Sequence, residues 1–194
     1  MRTAQERAWA GTLGDEYTAR NRVDWRKRLP FWRKIMDSTG ARSVLEAGCN
    51  AGWNLTAICQ VAPRAEVRGF DVNALAVAQA RTAGCNALIG TVDNQWELWL
   101  GQYELVFTAG TLIHVPPDAL QPMMKRLIEL SSQYVLAIEY RADFEEEPVV
   151  YRGQTDLLWR RPFGKLYENM GLKLLHTGVA TGWDRATYWL LEKC

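Results

Sequence analysis

Ser43-Val44-Leu45-Glu46-Ala47-Gly48-Cys49-Asn50-Ala51-Gly52-Trp53 decides how this chain folds. A short apolar run ends in an acid, a glycine turn follows, and Asn54-Leu55-Thr56-Ala57-Ile58 begins a helical pattern. Strand, tight turn and helix open a βαβ unit, whose crevice holds a ligand at the carboxyl end of the strand. The competing reading is an ordinary strand-to-helix turn that binds nothing, because a short glycine motif is weak by itself.

The details of the turn separate two nucleotide chemistries. A dinucleotide site wants glycine at three places, which here hold Gly48, Asn50 and Trp53. Asn50 tolerates a left-handed backbone and can stand in for glycine. An indole at Trp53 blocks the close approach a pyrophosphate needs, which also disfavours a nicotinamide dehydrogenase. Glu46 places a carboxylate where a pyrophosphate is repelled and a cation is attracted. S-adenosylmethionine has a sulfonium and an ammonium and no phosphate. The stretch resembles motif I of the class I S-adenosylmethionine-dependent methyltransferases, with Asn50 in place of the middle glycine.

Farther along, Glu66-Val67-Arg68-Gly69-Phe70-Asp71 reads as the second strand. Asp71 lies 19 residues beyond Gly52, close to the spacing at which an acid reaches ribose hydroxyls. A carboxylate accepts both hydrogen bonds of a vicinal diol. Alternatively Asp71 is a helix N-terminal acid ahead of Asn73, which caps an alanine-rich helix to Ala83. A third short strand spans Asn86 to Val92, with Asp93-Asn94 just past it as either ligand groups or a turn. Trp96 and Trp99 are core residues or adenine-pocket walls. The fourth strand, Tyr103 to Thr108, leads into Ala109-Gly110-Thr111-Leu112-Ile113-His114, whose small residues leave room for two ligands to meet. His114 is the candidate base, or else a loop-packing residue.

A helix opens at Pro117 and runs to about Leu130, and Tyr134 to Tyr140 is a buried fifth strand. An acidic, solvent-facing loop spans Asp143 to Pro148. A helix is expected from Thr155 to Met170, closed by Gly171. Leu172 to Val179 and Arg185 to Glu192 form two late strands around Thr181-Gly182-Trp183. Alternating strands and helices make the chain α/β. The class I resemblance implies a Rossmann-like, mostly parallel seven-stranded sheet with helices on both faces and an antiparallel last strand.

The totals bound the rest. With 194 residues, 48% of them hydrophobic and 23% charged, the chain makes one globular domain, 1–194. A net charge of +1 exerts no overall pull on nucleic acid or anionic membrane. The charged N-terminus lacks a signal-peptide core, and no apolar run spans a bilayer. Cys49, Cys59, Cys85 and Cys194 lack paired spacing, so reduced thiols in a cytoplasmic protein are expected. Two histidines are too few and too far apart for a zinc site. Oligomeric state is not encoded in any of these features.

Residues 1–37 precede the first strand, with Gly11-Thr12-Leu13-Gly14 breaking two helical stretches. Arg20 to Lys34 carries seven basic residues against Asp24, with Trp25, Phe31 and Trp32 interleaved. This is either a nucleic-acid patch or a solvated helix pair with its aromatics turned to the core, the helix restarting near Pro30. The second reading agrees with the balanced net charge.

Several stretches resemble one subfamily, the methyltransferases associated with pseudaminic acid biosynthesis. They are Trp9-Ala10-Gly11 with Gly14-Asp15-Glu16-Tyr17-Thr18 and Arg20-Asn21, Leu45-Glu46 with Gly48-Cys49-Asn50, and Leu112-Ile113-His114. Tyr151-Arg152-Gly153 and Leu158-Trp159 with Phe163-Gly164-Lys165 complete the set. The resemblance implies S-adenosylmethionine as cofactor and a small, sugar-related acceptor, in bacterial polysaccharide or cell-surface glycan modification. The donor set it implies is Tyr17, Asn21, Glu46, Gly48, Cys49, Asn50, Gly52, Asn54, Asp71, Val72, Asp93, Asn94, Thr108 and Gly110. Within it, Asp93 would accept the adenine amino group, and Tyr17 and Asn21 would close residues 1–37 as a helical lid over the methionine end, the alternative being a packed Tyr17 and a capping Asn21. Tyr151 and Arg152 fall where acceptors sit, and the planar fork of Arg152 suits a carboxylate or phosphate, or else Arg152 is a surface residue near the acidic loop. The rival readings are a nucleic-acid methyltransferase and a non-catalytic cofactor-binding protein.

Overall fold

The computed structural model describes residues 3–94, 101–151, 153 and 155–194, so Trp96, Trp99 and Arg152 lie outside the described residues. Two helices open the chain, α1 (Ala4–Ala10) and α2 (Thr12–Arg20), and after a 3-10 turn at Trp25–Arg28 comes α3 (Leu29–Thr39). The first half of the sheet alternates with helices: β1 (Ser43–Ala47), α4 (Trp53–Val61), β2 (Glu66–Asp71), α5 (Ala74–Thr82) and β3 (Asn86–Ile89). The second half runs β4 (Tyr103–Ala109), α6 (Pro117–Leu130), β5 (Ser131–Glu139), α7 (Phe163–Asn169), β8 (Leu172–Val179) and β9 (Thr187–Lys193). A two-stranded ribbon, β6 (Glu147–Pro148) with β7 (Trp159–Arg160), interrupts it between β5 and α7.

The seven-stranded sheet has the order β3-β2-β1-β4-β5-β9-β8. β1 to β5 pair in parallel, and β9 runs antiparallel to both β5 and β8. Successive residues of a strand point to opposite faces, and here both faces are covered. Val44, Leu105 and Phe107 pack against Trp32, Leu55, Ile58 and Val77 from α3, α4 and α5. Leu45 and Val106 pack against Met124 and Leu127 of α6 and Phe163 and Tyr167 of α7. Because β1 has β2 on one side and β4 on the other, the connections diverge there and leave a crevice beyond their carboxyl ends. Gly48 and Gly110, both at positive φ, open the two sides of that crevice.

Local sequence signals are met at most boundaries. Asn73 accepts from the Ala76 amide at 2.8 Å and caps α5. Pro30 sits in the first turn of α3, and Gly40 ends it in the left-handed conformation. Four expectations are corrected. The helix expected from Thr155 begins only at Phe163, because Leu158 and Trp159 spend their backbone on the ribbon and Pro162 bars a helical Arg161. The third strand stops at Ile89, since Thr91 to Asn94 close a turn through the Asn94 side chain. Arg185 takes a positive φ of 54° in the last turn, which delays β9 to Thr187. In the N-terminal segment only Gly11 breaks the helices.

Gly14 lies within α2 and is buried there because a Cβ at that position would stand 1.8 Å from the Trp9 carbonyl oxygen. Gly14→Val is therefore expected to push α1 off α2 and cost about 1–3 kcal/mol, as overpacking does. Thermal denaturation measures the loss. No helix among the described residues is long and apolar enough to cross a membrane.

Candidate active site

Two chambers meet above the crevice. The first, of about 230 Å3, is bounded by Asp71, Val72 and Asp93 below and by Glu6 and Trp9 of α1 above. The second, of about 470 Å3, holds Asn21, Arg28, Glu46, Asn54, Tyr140, Tyr151 and Asp184. Tyr17, Gly48, Asn50, Ala109, Gly110 and His114 line both, so they form the junction.

The turn after β1 is built around Asp71. Asn50 adopts a φ of 45°, the left-handed conformation for which asparagine substitutes for glycine. That conformation turns its amide onto Asp71 Oδ2 at 2.8 Å, while Oδ1 accepts the Asn73 amide at 2.8 Å. The Asn50 side chain meanwhile reaches back to Thr18 Oγ1 at 3.2 Å, tying α2 to the turn. Burial raises the Asp71 pKa, and the amides of Asn73, Asn50 and Val72 oppose the rise. An ionised carboxylate has about four acceptor positions, so beyond these three amides one stays open for a ligand. Gly48 cannot be replaced without movement, since a Cβ there would lie 2.3 Å from Thr111 Oγ1.

Glu46, at the end of β1, is buried in the wall of the second chamber. One oxygen accepts from Asn54 Nδ2 at 2.6 Å, and Asn54 Oδ1 accepts from Arg28 Nη1 at 2.8 Å. The second carboxylate oxygen and Arg28 Nε have no partner. Burial pushes Glu46 up to about 8, against the Asn54 hydrogen bond and the Arg28 charge. Burial likewise lowers Arg28 to about 10, which leaves the guanidinium charged at neutral pH. The guanidinium lies 4.2 Å over the Trp183 ring. A half-satisfied acid beside a half-satisfied base is costly without a ligand that is both cationic and anionic.

His114 sits in the 3-10 turn Leu112–His114 that follows β4. Its Nδ1 is 2.6 Å from the Leu157 carbonyl oxygen. A carbonyl only accepts, so Nδ1 carries the hydrogen and Nε2 keeps a lone pair. Trp9 and Tyr151 pack tilted against the ring, with centroids 4.5 and 5.7 Å away. Burial lowers the pKa to about 4, so the imidazole is neutral. Two buried ions hold its turn from opposite sides. Glu139 accepts the amides of Thr111 and Leu112 at 3.2 and 3.1 Å, and Arg161 donates to the carbonyls of Leu112 and Val115 at 2.8 Å each. Burial raises Glu139 to about 7 against those hydrogen bonds.

Of the residues expected at the site, Cys49 lines the second chamber with its thiol pKa raised by burial. Gly52, Asn94 and Thr108 line neither chamber. Gly52 caps α4 at a φ of 79° where a Cβ would meet Cys85 Sγ at 2.8 Å. Asn94 spends its side-chain oxygen on the Thr91 amide at 2.8 Å, and Thr108 is buried at the end of β4. Sequence reasoning missed Arg28, Glu139 and Arg161. Arg28 stood among seven basic residues with nothing local to single it out. Glu139, an acid ending an otherwise apolar strand, carried the same signal as Glu46.

Residues 44–132 match the sequence profile of a methyltransferase domain. No curated protein sequence matches the chain. Solved structures do. Magnesium protoporphyrin IX methyltransferase from Synechocystis, crystallised with SAH, superposes with a TM-score of 0.74 at 14% identity, covering 97% of this chain and 98% of that one. The 1,6-didemethyltoxoflavin-N1-methyltransferase of Burkholderia thailandensis, with its acceptor and S-adenosylhomocysteine bound, gives 0.71 at 15% identity over 100% and 91% of the two chains. A sugar N-methyltransferase from a Streptoalloteichus species gives 0.67 at 13% identity over 95% and 93%. At such identities the likeness is one of fold. Residues 44–132 thus match a methyltransferase-domain profile, and the whole chain has the Rossmann-like fold that these solved methyltransferases share.

Proposed function

We propose that this protein is an S-adenosylmethionine-dependent methyltransferase acting on an oxygen or nitrogen of a small, sugar-related acceptor. The observation that carries the reading is that Glu46 Oε2 and Arg28 Nε are both buried without a partner, on residues that line one chamber a strand away from Asp71. An amino acid group offers the ammonium and carboxylate that complete this pair, and a ribose hydroxyl completes Asp71. The residues present therefore fit S-adenosylmethionine, which supplies an already activated methyl group.

In this assignment Glu46 and Arg28 hold the amino acid end, with Asn54 keeping both side chains in register. Asp71 holds the ribose, while Val72 and Asp93 border the base. Tyr17 and Asn21 bring the N-terminal segment over the methionine end, so residues 1–37 act as a lid that excludes water. Gly48 and Gly110 leave the junction open for donor and acceptor to meet, and alignment supplies most of the rate. His114 Nε2 is the base where the nucleophile arrives protonated. The rings of Tyr140, Tyr151 and Trp183 with the carboxylate of Asp184 suit the CH faces and hydroxyls of a sugar ring, which supports the acceptor class and the resemblance to pseudaminic acid-associated methyltransferases. The free state of Cys49, Cys59, Cys85 and Cys194 agrees with a cytoplasmic setting.

Calorimetry on the whole chain tests the donor, with saturable uptake of S-adenosylmethionine and S-adenosylhomocysteine expected. Absence of uptake by folded protein ends the reading. Labelled methyl followed into a glycan-precursor fraction then identifies the acceptor. On that acceptor His114→Ala is expected to lower turnover about a hundredfold with donor affinity kept. Full turnover in this variant removes the base.

A further inference from the structure

The second chamber has a charged rim that the donor does not use. Arg20 to Lys34 carries a net charge of +6, and the other residues of the chain sum to −5. Within that segment Arg28 points into the chamber, while Arg22 and Lys27 line its mouth and are exposed. The acid of the segment is already engaged: Asp24 accepts the Arg26 amide at 3.2 Å and lies 3.8 Å from the Arg26 guanidinium. Lys34 is also engaged, donating to the Tyr188 hydroxyl at 2.8 Å. Asp24 lines the chamber as well, turned to Arg26, and Asp184 stands beside Tyr140 as the second rim carboxylate.

We propose that Arg22 and Lys27 form an anion-binding rim that recognises an acceptor bearing a phosphate or carboxylate group, held at the mouth while its nucleophile reaches the junction. This deepens the proposed function and rests on the acceptor occupying the outer part of the second chamber, beyond the Glu46 and Arg28 assigned to the donor. A charge on the rim steers and orients a charged ligand without entering the dry interior. A nucleic acid is the other polyanion such a segment could attract. The packing argues against it, because Phe31 and Trp32 are 4% and 0% exposed and offer no base a platform. The third aromatic, Trp25, has the Arg26 guanidinium 4.7 Å over its ring.

The experiment titrates sodium pyrophosphate, malonate and a single-stranded oligonucleotide separately into the S-adenosylhomocysteine-loaded protein by calorimetry, at low and at near-physiological salt. Saturable pyrophosphate or malonate binding is expected at low salt, weakening as salt rises. The tighter of the two assigns the acceptor's anion as phosphate or carboxylate. The double variant R22E/K27E is expected to lose about tenfold or more of that affinity, and R22K/K27R to keep it, with S-adenosylhomocysteine uptake unchanged in both. Loading that succeeds without small-anion binding, or binding indifferent to R22E/K27E, overturns the rim and leaves the donor site standing. Oligonucleotide binding far tighter than pyrophosphate also overturns it, in favour of a nucleic-acid acceptor. Failure of loading itself rejects the proposed function instead.

Discussion

Glu46→Gln is expected to weaken donor uptake about a hundredfold and to abolish its pH dependence. The amide is isosteric and keeps an oxygen for Asn54 Nδ2, so the wall of the second chamber persists. What is lost is the charge that a cationic ligand calls up. In the ligand-free protein burial holds the Glu46 pKa near 8, so the carboxyl is mostly protonated at pH 7. A bound ammonium favours the ionised form, so uptake at pH 7 releases a proton. Affinity should therefore rise with pH until it levels off above about 8. Titrations in buffers of different ionisation enthalpy count the proton. In Glu46→Gln the count falls, and affinity no longer climbs with pH.

The same group sets a stability trend. Its folded pKa is raised above the ordinary 4.5, so the folded state binds more protons than the unfolded one between those values. The contribution to stability is complete below about 4.5 and is lost as pH rises through about 8. Glu139, raised from 4.5 to about 7, acts in the same direction over a narrower window. His114 acts oppositely: with its pKa lowered from 6.5 to about 4, it takes stability away as pH falls through that interval.

Asp71→Ala is expected to cost about 2–4 kcal/mol of stability and to remove measurable donor binding. The amides of Asn50 and Asn73, each 2.8 Å from a carboxylate oxygen, would lose their acceptor, and the Val72 amide with them. Asn50 holds its positive φ partly through that bond, so the turn would relax toward an extended backbone and swing Gly48 away from Thr111. Asp71→Asn separates the two effects. One oxygen still accepts an amide while the new NH2 group confronts the other, so only part of the stability should return, and the ribose hydroxyl loses its charged acceptor. Denaturant unfolding and calorimetry on the same preparations read the two quantities.

The parts legible in advance were those written in local chemistry. Near-continuous apolar runs made β1, β4 and β5 readable, because a strand covered on both faces is apolar at successive positions. The turn from Gly48 to Gly52 was readable because positive φ is confined to a few residue types, and Asn50 is one of them. Asp71 followed from its distance to that turn. The helix expected at Thr155 was not legible as a ribbon, because β7 exists only by pairing with β6, Glu147 with Arg160 thirteen residues on and Pro148 with Trp159 eleven on.

By itself, then, the sequence determined the order of strands and helices, the left-handed turn and the acids at the ends of β1 and β2. Each of those rests on the conformational preferences of a few neighbouring residues. Tertiary structure decided which charges are buried and what they hold. Arg28 reaches Asn54 across 26 positions and Arg161 reaches Leu112 across 49. Nothing in a basic run or near a proline distinguishes such a residue from a solvated one. Desolvation is a property of the packed chain, and it is desolvation that makes Glu46, Glu139 and His114 chemically unlike other acids and histidines.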